Sequence, residues 1–332
     1  MTQERLEDRL RATLADALAD PGLEIRGLRQ LTGGASLQTW YLEVAHADGT
    51  SRPLILRRDP LLEHAAKASF GIEAAVLKAA ARAGVPEPEV VLHSDDVNVL
   101  GAPFVLMEFV EGETLAPRIL RDDRYAAARA KMAAQCGEIL AAIHKIPVSE
   151  IEGLRALRDP LDILRGLLDM YAERLPAFEL GMRWLKANRP PASPPTVVHG
   201  DFRNGNLIVG PDGIRAVLDW ELVHQGDPMQ DLGYLCARVW RFGGDGPVGG
   251  FGSYEDLFTA YERAGGRPID PAVVRWWEVW STLHWGTGCL HMGRRYLSGA
   301  LPSVEMAAIG PRTREQEYDT LLLIEQQLGR LV

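Results

Sequence analysis

Leucines recur at every fourth position near the start of the chain, at Leu6, Leu10, Leu14 and Leu18. That spacing puts them on one face of a helix, expected over residues 3–20 and ended by Pro21 and Gly22. The pattern then changes to short β-type runs at 23–31, 37–45 and 53–58, with Ala47, Asp48 and Gly49 turning the second into the third. An alanine-rich helix is expected over 61–83, stopped by Gly84, Val85 and Pro86. A strand follows at 90–92, and residues 103–110 read as a buried strand that Glu111, Gly112 and Glu113 break. From Leu115 onward the pattern is mainly helical. One long helix is expected over 122–145, with Met132, Cys136, Ile139 and Ile143 on one face, and others over 161–175 and 179–188. A proline-rich connection at 189–195 is stiff and extended. Helices over 254–264, 271–297 and 303–328 close the chain, and glycines at 243–246 and 249–252 flank a mobile-looking loop.

The chemistry concentrates between residues 197 and 235. Val197 and Val198 lead into the polar run His199, Gly200, Asp201, Phe202, Arg203, Asn204, Gly205 and Asn206. A second apolar run ends in Asp219, Trp220 and Glu221. Two short apolar runs feeding polar loops can converge acceptor oxygens on one point. Hard cations such as Mg²⁺ take few protein oxygens and complete their shell with phosphate and water. A further carboxylate nearby can orient a hydroxyl nucleophile.

Composition narrows the classes. Net charge is −9 with no basic run, which argues against a nucleic-acid partner. An acidic balance gives weak support to a cationic substrate. No apolar run approaches the roughly 18–20 residues a membrane helix needs, and no signal-peptide pattern is seen. Cys136, Cys236 and Cys289 are scattered, without metal or disulfide spacing, so a reducing, cytoplasmic setting is expected.

The paired motif, His-Gly-Asp with an Asn five residues after the Asp and then Asp-Trp-Glu, resembles the catalytic and metal-binding segment of the aminoglycoside phosphotransferase and choline kinase family. The resemblance runs from about residue 31 to 235 and implies a bilobal, protein-kinase-like α+β fold. Residues 1–110 would form a small antiparallel-sheet lobe that binds nucleotide, and 111–332 a helical lobe carrying the catalytic and metal-binding loops. It implies Asp201 as catalytic base, Asn206 and Asp219 as Mg²⁺ ligands, and Asp231 as a brace for the catalytic loop. Gly33, Gly34, Ala35 and Ser36 form a turn whose N–H groups can close over a phosphate, as the family's nucleotide-covering loop does. Where such a fold places a phosphate-binding Lys, this chain has Arg57, followed by Arg58. Alternation turns only one of them to the nucleotide, and Arg57 is favoured, with Glu73 as its partner. Backbone groups of Glu108, Phe109 and Val110 would meet adenine. The Leu-Arg strand is similar to that of kinase-like domains fused to acyl-CoA dehydrogenases.

The resemblance thus implies an ATP- and Mg²⁺-dependent kinase acting on a small-molecule hydroxyl, as a monomer or homodimer. Aminoglycosides, choline-like amines, sugars and hydroxyacyl-CoA thioesters all stay open as acceptors. A nucleotide-binding module without turnover is the alternative that the missing Lys motivates. A protein kinase is disfavoured by Gly200, where protein kinases place Arg. Arg203 and Asn204 are expected to be exposed, His144 to bond free carbonyls at its helix end, and the tryptophans of 271–297 to be core.

Overall fold

The computed structural model describes residues 2–31, 37–60, 69–171, 173–300 and 303–328. Helix α1 (Gln3–Ala17) is capped by Thr2, whose hydroxyl accepts the Arg5 N–H, and it buries Leu6, Leu10 and Leu14. Strands β1 (Glu24–Gln30), β2 (Gln38–Ala45) and β3 (Ser51–Arg58) follow, then α2 (Phe70–Arg82), β4 (Val90–Ser94), α3 (Val97–Leu100) and β5 (Phe104–Glu108). The strands form one five-stranded sheet in the order β1-β2-β3-β5-β4, antiparallel at every pairing.

Period-two alternation along β3 sorts its side chains between two cores. Leu54 and Leu56 pack with the α1 leucines. Ile55 packs on the other face with Phe70, Val105 and Met107. Arg58 shares the face of Leu56 and is buried, donating to the Leu100 carbonyl at 3.0 Å. Arg57 therefore points to the α2 side. The sheet joins the rest of the chain just after β5. Glu113 and Val209 exchange two backbone hydrogen bonds of 3.0 Å. Gly112 allows that approach, since a Cβ there would lie 2.4 Å from the Ile208 methyl.

The remainder comprises α4 (Ala116–Arg121), α5 (Ala126–His144), α6 (Pro160–Tyr171), α7 (Pro176–Ala187), and the short strands β6 (Thr196–Val198), β7 (Leu207–Gly210), β8 (Gly213–Val217) and β9 (His224–Gly226). Helices α8 (Met229–Cys236), α9 (Tyr254–Arg263), α10 (Pro271–Leu297), α11 (Val304–Ile309) and α12 (Thr313–Leu328) complete it. Strands β7 and β8 form a hairpin, and β6 pairs with β9, so the two polar loops leave paired strands. α10 is buried on most of its circumference, as a helix at the centre of a lobe must be. Trp276 and Trp280 are core there, each donating its indole N–H to a backbone carbonyl, of Leu185 and Pro160 respectively.

Three expectations change. The 122–145 helix begins with a single 3₁₀ turn at Asp123–Tyr125 before α5. The 303–328 helix is two helices, because Gly310 and Pro311 interrupt it with another 3₁₀ turn. The glycine-rich segment 243–252 is a tight, partly buried hairpin bridged at Gly246–Gly250 and Val248–Gly252. Gly244 lets it close: a Cβ there would meet the Gly250 carbonyl oxygen at 2.3 Å.

Candidate active site

The loop after β6 is shaped by buried polar contacts. His199 is fully buried against Trp220 and Phe202. Its Nε2 lies 3.1 Å from the Leu218 carbonyl and its Nδ1 3.1 Å from the Asp201 N–H. The neutral tautomer with the proton on Nε2 satisfies both contacts, and burial favours the neutral ring by lowering its pKa. Gly200 adopts φ +84°, and a Cβ there would meet the Leu222 carbonyl oxygen at 2.6 Å. Asp231, at the start of α8, accepts the N–H groups of His199 and Gly200 at 2.8 and 2.9 Å. Burial works against its charge, yet His144 at 3.1 Å and the Gly200 N–H hold its pKa below the usual carboxylate value. His144 thus reaches across to Asp231 and to the Tyr261 hydroxyl instead of bonding its own helix end.

Asp201 sits in this braced loop, 9% exposed. Arg203 Nε donates to one carboxylate oxygen at 3.0 Å and Asn206 Nδ2 to the other at 2.6 Å. Burial pushes its pKa up to about 6, partly opposed by Arg203, while the charge of Asp219 pushes the same way as burial. Asn204 is buried, not exposed as expected, because its amide donates to the Gly249 carbonyl at 2.7 Å and so anchors the loop to the glycine hairpin. Arg203 is half-buried over Trp240, not free at the surface.

Arg57 links three elements. Its guanidinium donates to Glu73 of α2 at 2.6 Å and to Asp219, in the loop after β8, at 2.9 Å. Burial opposes the Arg57 cation, but Glu73, Asp219 and Glu221 outweigh it and hold the guanidinium charged. Glu73 is 2% exposed, and burial raises its pKa against the pull of Arg57. Asp219 has φ +67°, a left-handed conformation that Asp tolerates better than bulkier residues. The Leu218 N–H donates to the Asn206 carbonyl at 2.8 Å, so the two polar loops touch beside Asp201.

The donor set fits a hard divalent cation. Asn206 turns its amide nitrogen to Asp201, which leaves its oxygen directed elsewhere, and Asp219 commits one carboxylate oxygen to Arg57. One amide oxygen and one carboxylate, with phosphate and water completing the shell, is a donor set suited to Mg²⁺. Among the described residues no cluster of three or more His, Cys, Asp or Glu side chains is placed to hold a metal.

The remaining expected site residues are distributed as follows. Gly33, Gly34, Ala35 and Ser36 lie outside the described residues. The N–H groups of Glu108 and Phe109 are engaged within the sheet region, by the Glu89 and Pro53 carbonyls at 2.9 and 3.1 Å. Phe109 is 41% exposed, edge-on to Tyr41. A cavity of about 240 Å³ borders Gly200 and is lined by Leu154, Leu157, Ile163, Val223, Trp280 and His284. Arg155 and Arg158, both exposed, and Glu221 also line it, so the cavity carries charges of both signs. Among the described residues no helix is long and apolar enough to cross a membrane.

The model of the phosphotransferase enzyme family, APH, matches residues 27–277. Acyl-CoA dehydrogenase family member 10 of Mus musculus is 32% identical over 257 residues, covering 72% of this chain and 22% of that protein. Acyl-CoA dehydrogenase family member 11 of Gallus gallus is 32% identical over 266 residues, 72% of this chain and 33% of its own length. The chain therefore spans between about a fifth and a third of these relatives. Among solved structures, a Ralstonia eutropha JMP134 protein grouped with the aminoglycoside phosphotransferases superposes with a TM-score of 0.71 at 23% identity, covering 96% of this chain and 98% of the other. A choline/ethanolamine kinase family protein from Mesorhizobium loti superposes at 0.61, with 22% identity and 96% and 95% coverage. A thermostable mutant of aminoglycoside phosphotransferase APH(4)-Ia, in ternary complex with AMP-PNP and hygromycin B, superposes at 0.60, with 17% identity and 93% and 98% coverage. The protein-kinase-like α+β fold expected from the motifs is the fold observed.

Proposed function

The chain belongs to the phosphotransferase enzyme family, and on that premise we propose that it transfers the γ-phosphoryl group of ATP to a hydroxyl of a small molecule. The observation that carries this is the junction of Asp201, Asn206, Asp219, Arg57 and Glu73, brought from four separate stretches into one hydrogen-bonded and charge-coupled site. The binding of AMP-PNP by one structural neighbour supports the nucleotide assignment.

In this reading residues 1–110 hold the nucleotide and residues 111–332 hold the acceptor. Adenine would use the Val110 N–H and the Glu108 carbonyl, since the N–H groups of Glu108 and Phe109 are already engaged. Gly33, Gly34, Ala35 and Ser36 would cover the phosphates, and Arg57, fixed by Glu73, would present its remaining N–H groups to them. Asn206 and Asp219 would hold Mg²⁺, which neutralises phosphate charge when bound. Asp201 would orient the acceptor hydroxyl and take its proton as the oxygen–phosphorus bond forms. Fixed donors around Asp201 remove the need for reorganisation during transfer, so alignment and electrostatics supply most of the rate.

The cavity beside Gly200 is mostly apolar and is lined by charges of both signs, Arg155 and Arg158 with Glu221, while the Arg203 charge is met by Asp201. Aminoglycosides, choline-like amines, sugars and hydroxyacyl-CoA thioesters therefore all stay open as acceptors. The test is ATP consumption with Mg²⁺ against hydroxyacyl-CoAs, sugars, amines and aminoglycosides, with Asp201→Asn alongside. Turnover with one acceptor class, abolished in the variant, establishes the activity. Tight Mg·ATP binding with no turnover on any acceptor points to a binding module, and equal turnover by Asp201→Asn removes Asp201 as the base.

A further inference from the structure

Two aromatic side chains beside Asp201 have no part in the scheme above. α8 carries Asp231 and Tyr234 three residues apart, hence on one face. Asp231 takes the loop's backbone N–H groups, and the buried Tyr234 packs its ring against Trp240. Immediately after α8, a 3₁₀ turn at Arg238–Arg241 presents Trp240. The guanidinium carbon of Arg203 lies 4.4 Å from the centre of the Trp240 ring system while its Nε donates to Asp201. Trp240 is itself packed against Trp285 at 4.8 Å and Tyr234 at 5.4 Å between ring centroids, so its plane is fixed from two sides.

An ionised carboxylate accepts at roughly four positions. Arg203 and Asn206 each take one carboxylate oxygen of Asp201, and what stays open on the carboxylate is where an acceptor hydroxyl can bond. Arg203 has a long, rotamer-rich side chain, and its fixed place beside Asp201 depends on the flat aromatic surface beneath it. Without that surface the guanidinium is free to swing and cover the open position. We propose that Trp240 is a positioning residue for Asp201, acting through Arg203, and that Tyr234, packed against Trp240, helps hold that ring in place. This rests on Asp201 being the base of a phosphotransferase.

The experiment uses the full chain and acceptor-free hydrolysis of Mg·ATP, so that no acceptor need be known. Trp240→Leu is expected to lower kcat by ~10-fold while KM for ATP stays within ~2-fold, the loss expected when a group is misaligned and nucleotide binding is intact. Trp240→Phe, which keeps an aromatic face, is expected to recover most of that loss. Tyr234→Phe, which keeps the ring packed against Trp240, is expected to leave kcat within ~2-fold of wild type. In an Arg203→Met background Trp240→Leu is expected to cost nothing further, because its effect passes through Arg203. In parallel, the ¹⁵N side-chain NMR signal of Arg203 Nε reports the clamp without any activity. It is expected to be exchange-protected in the wild type and in Trp240→Phe, and averaged to the free-arginine position in Trp240→Leu. A protected Arg203 signal in Trp240→Leu, or an equal kcat loss with and without Arg203, overturns the proposal. Absence of both Mg·ATP hydrolysis and Mg·ATP binding in the wild type overturns the phosphotransferase reading instead, and the NMR signal then still decides the clamp.

Discussion

Replacing Arg57 with Met would test the junction between the two halves of the site most directly. The substitution keeps the length of the side chain but removes the charge that faces Glu73 at 2.6 Å and Asp219 at 2.9 Å. Glu73 is 2% exposed, so it would be left as a buried carboxylate with its nearest cation gone. Breaking a buried ion pair from one side costs about 3–5 kcal/mol. The Asp219 contact contributes much less, because that side chain is 32% exposed and water screens it, about 0–1 kcal/mol at most. Glu73 has a partial escape, since burial already raises its pKa and protonation would relieve the charge, which places the expected loss near the lower end. At about 2 °C per kcal/mol for a chain of this size, melting should fall by about 6–10 °C. Differential scanning calorimetry of four proteins measures it: wild type, Arg57→Met, Glu73→Gln and the double variant. The double variant should recover at least half of the Arg57→Met loss, because the buried charge is then absent from both sides. Additive losses in the cycle, or a melting temperature unchanged by Arg57→Met, would refute the idea that Arg57 neutralises a buried, charged Glu73. Arg57→Lys sharpens the result. A point-charge ammonium can meet Glu73 but cannot fork to Asp219, so stability should stay within about 1 kcal/mol of wild type.

Three further outcomes are expected. Asp201→Asn should reduce phosphoryl transfer by about 10²–10⁴-fold with Mg·ATP affinity retained, measured by steady-state kinetics and calorimetric titration; a loss confined to ATP affinity would contradict its role. Gly200→Ala should destabilise by about 1–3 kcal/mol, since it forces both a left-handed backbone and a Cβ 2.6 Å from the Leu222 oxygen, and a denaturant midpoint unchanged from wild type would contradict the geometry. Asp231 has a folded-state pKa below its unfolded value, so the folded state binds fewer protons than the unfolded one as pH falls. Its stabilisation is present above about pH 4, the unfolded carboxylate value, and is lost as pH drops through the lower folded pKa. Urea midpoints between pH 5 and pH 3 should therefore fall less steeply in Asp231→Asn than in wild type, and parallel slopes would show that Asp231 is not a source of the acid sensitivity.

What could be read before folding follows from the range of the forces involved. The α1 stripe, the sheet strands and the full span of α10 were legible because burial on one face, or on both, imprints a period on consecutive residues. Alternation also showed that only one of Arg57 and Arg58 could face the nucleotide; Arg57 was favoured because it directly follows the apolar run, and the fold sends Arg58 to the Leu100 side and Arg57 to α2. The interruption of the last helix was present as Gly310 and Pro311, but the strong pattern on either side masks a local break. The glycine hairpin at 243–252 looked mobile because glycine raises the freedom of an isolated chain. Its order comes from contacts the local sequence does not contain, such as Asn204 to Gly249 and the Gly249 N–H to Leu235.

The same distinction explains which candidate residues could be named from the sequence. Asp201, Asn206 and Asp219 stand in short motifs, and the resemblance of those motifs to the family's implies their roles. Tyr234 and Trp240 carry no such signature, since an aromatic residue in a helical segment reads as core whether it packs against leucine or under an arginine. His144 was assigned to its own helix end because that is the only polar partner a local view supplies, whereas its partners Asp231 and Tyr261 lie 87 and 117 residues away. The motif residues are thus local in sequence, and the groups that brace their loop are not. That division has a physical basis. A motif's spacing is written in consecutive residues, while the buried donors and acceptors that brace its loop can come from any element that packs against it. Asp231 and His144 hold the backbone at 199–200 and Asn204 ties the loop to the glycine hairpin, so substitutions there would weaken the loop without altering Asp201, Asn206 or Asp219.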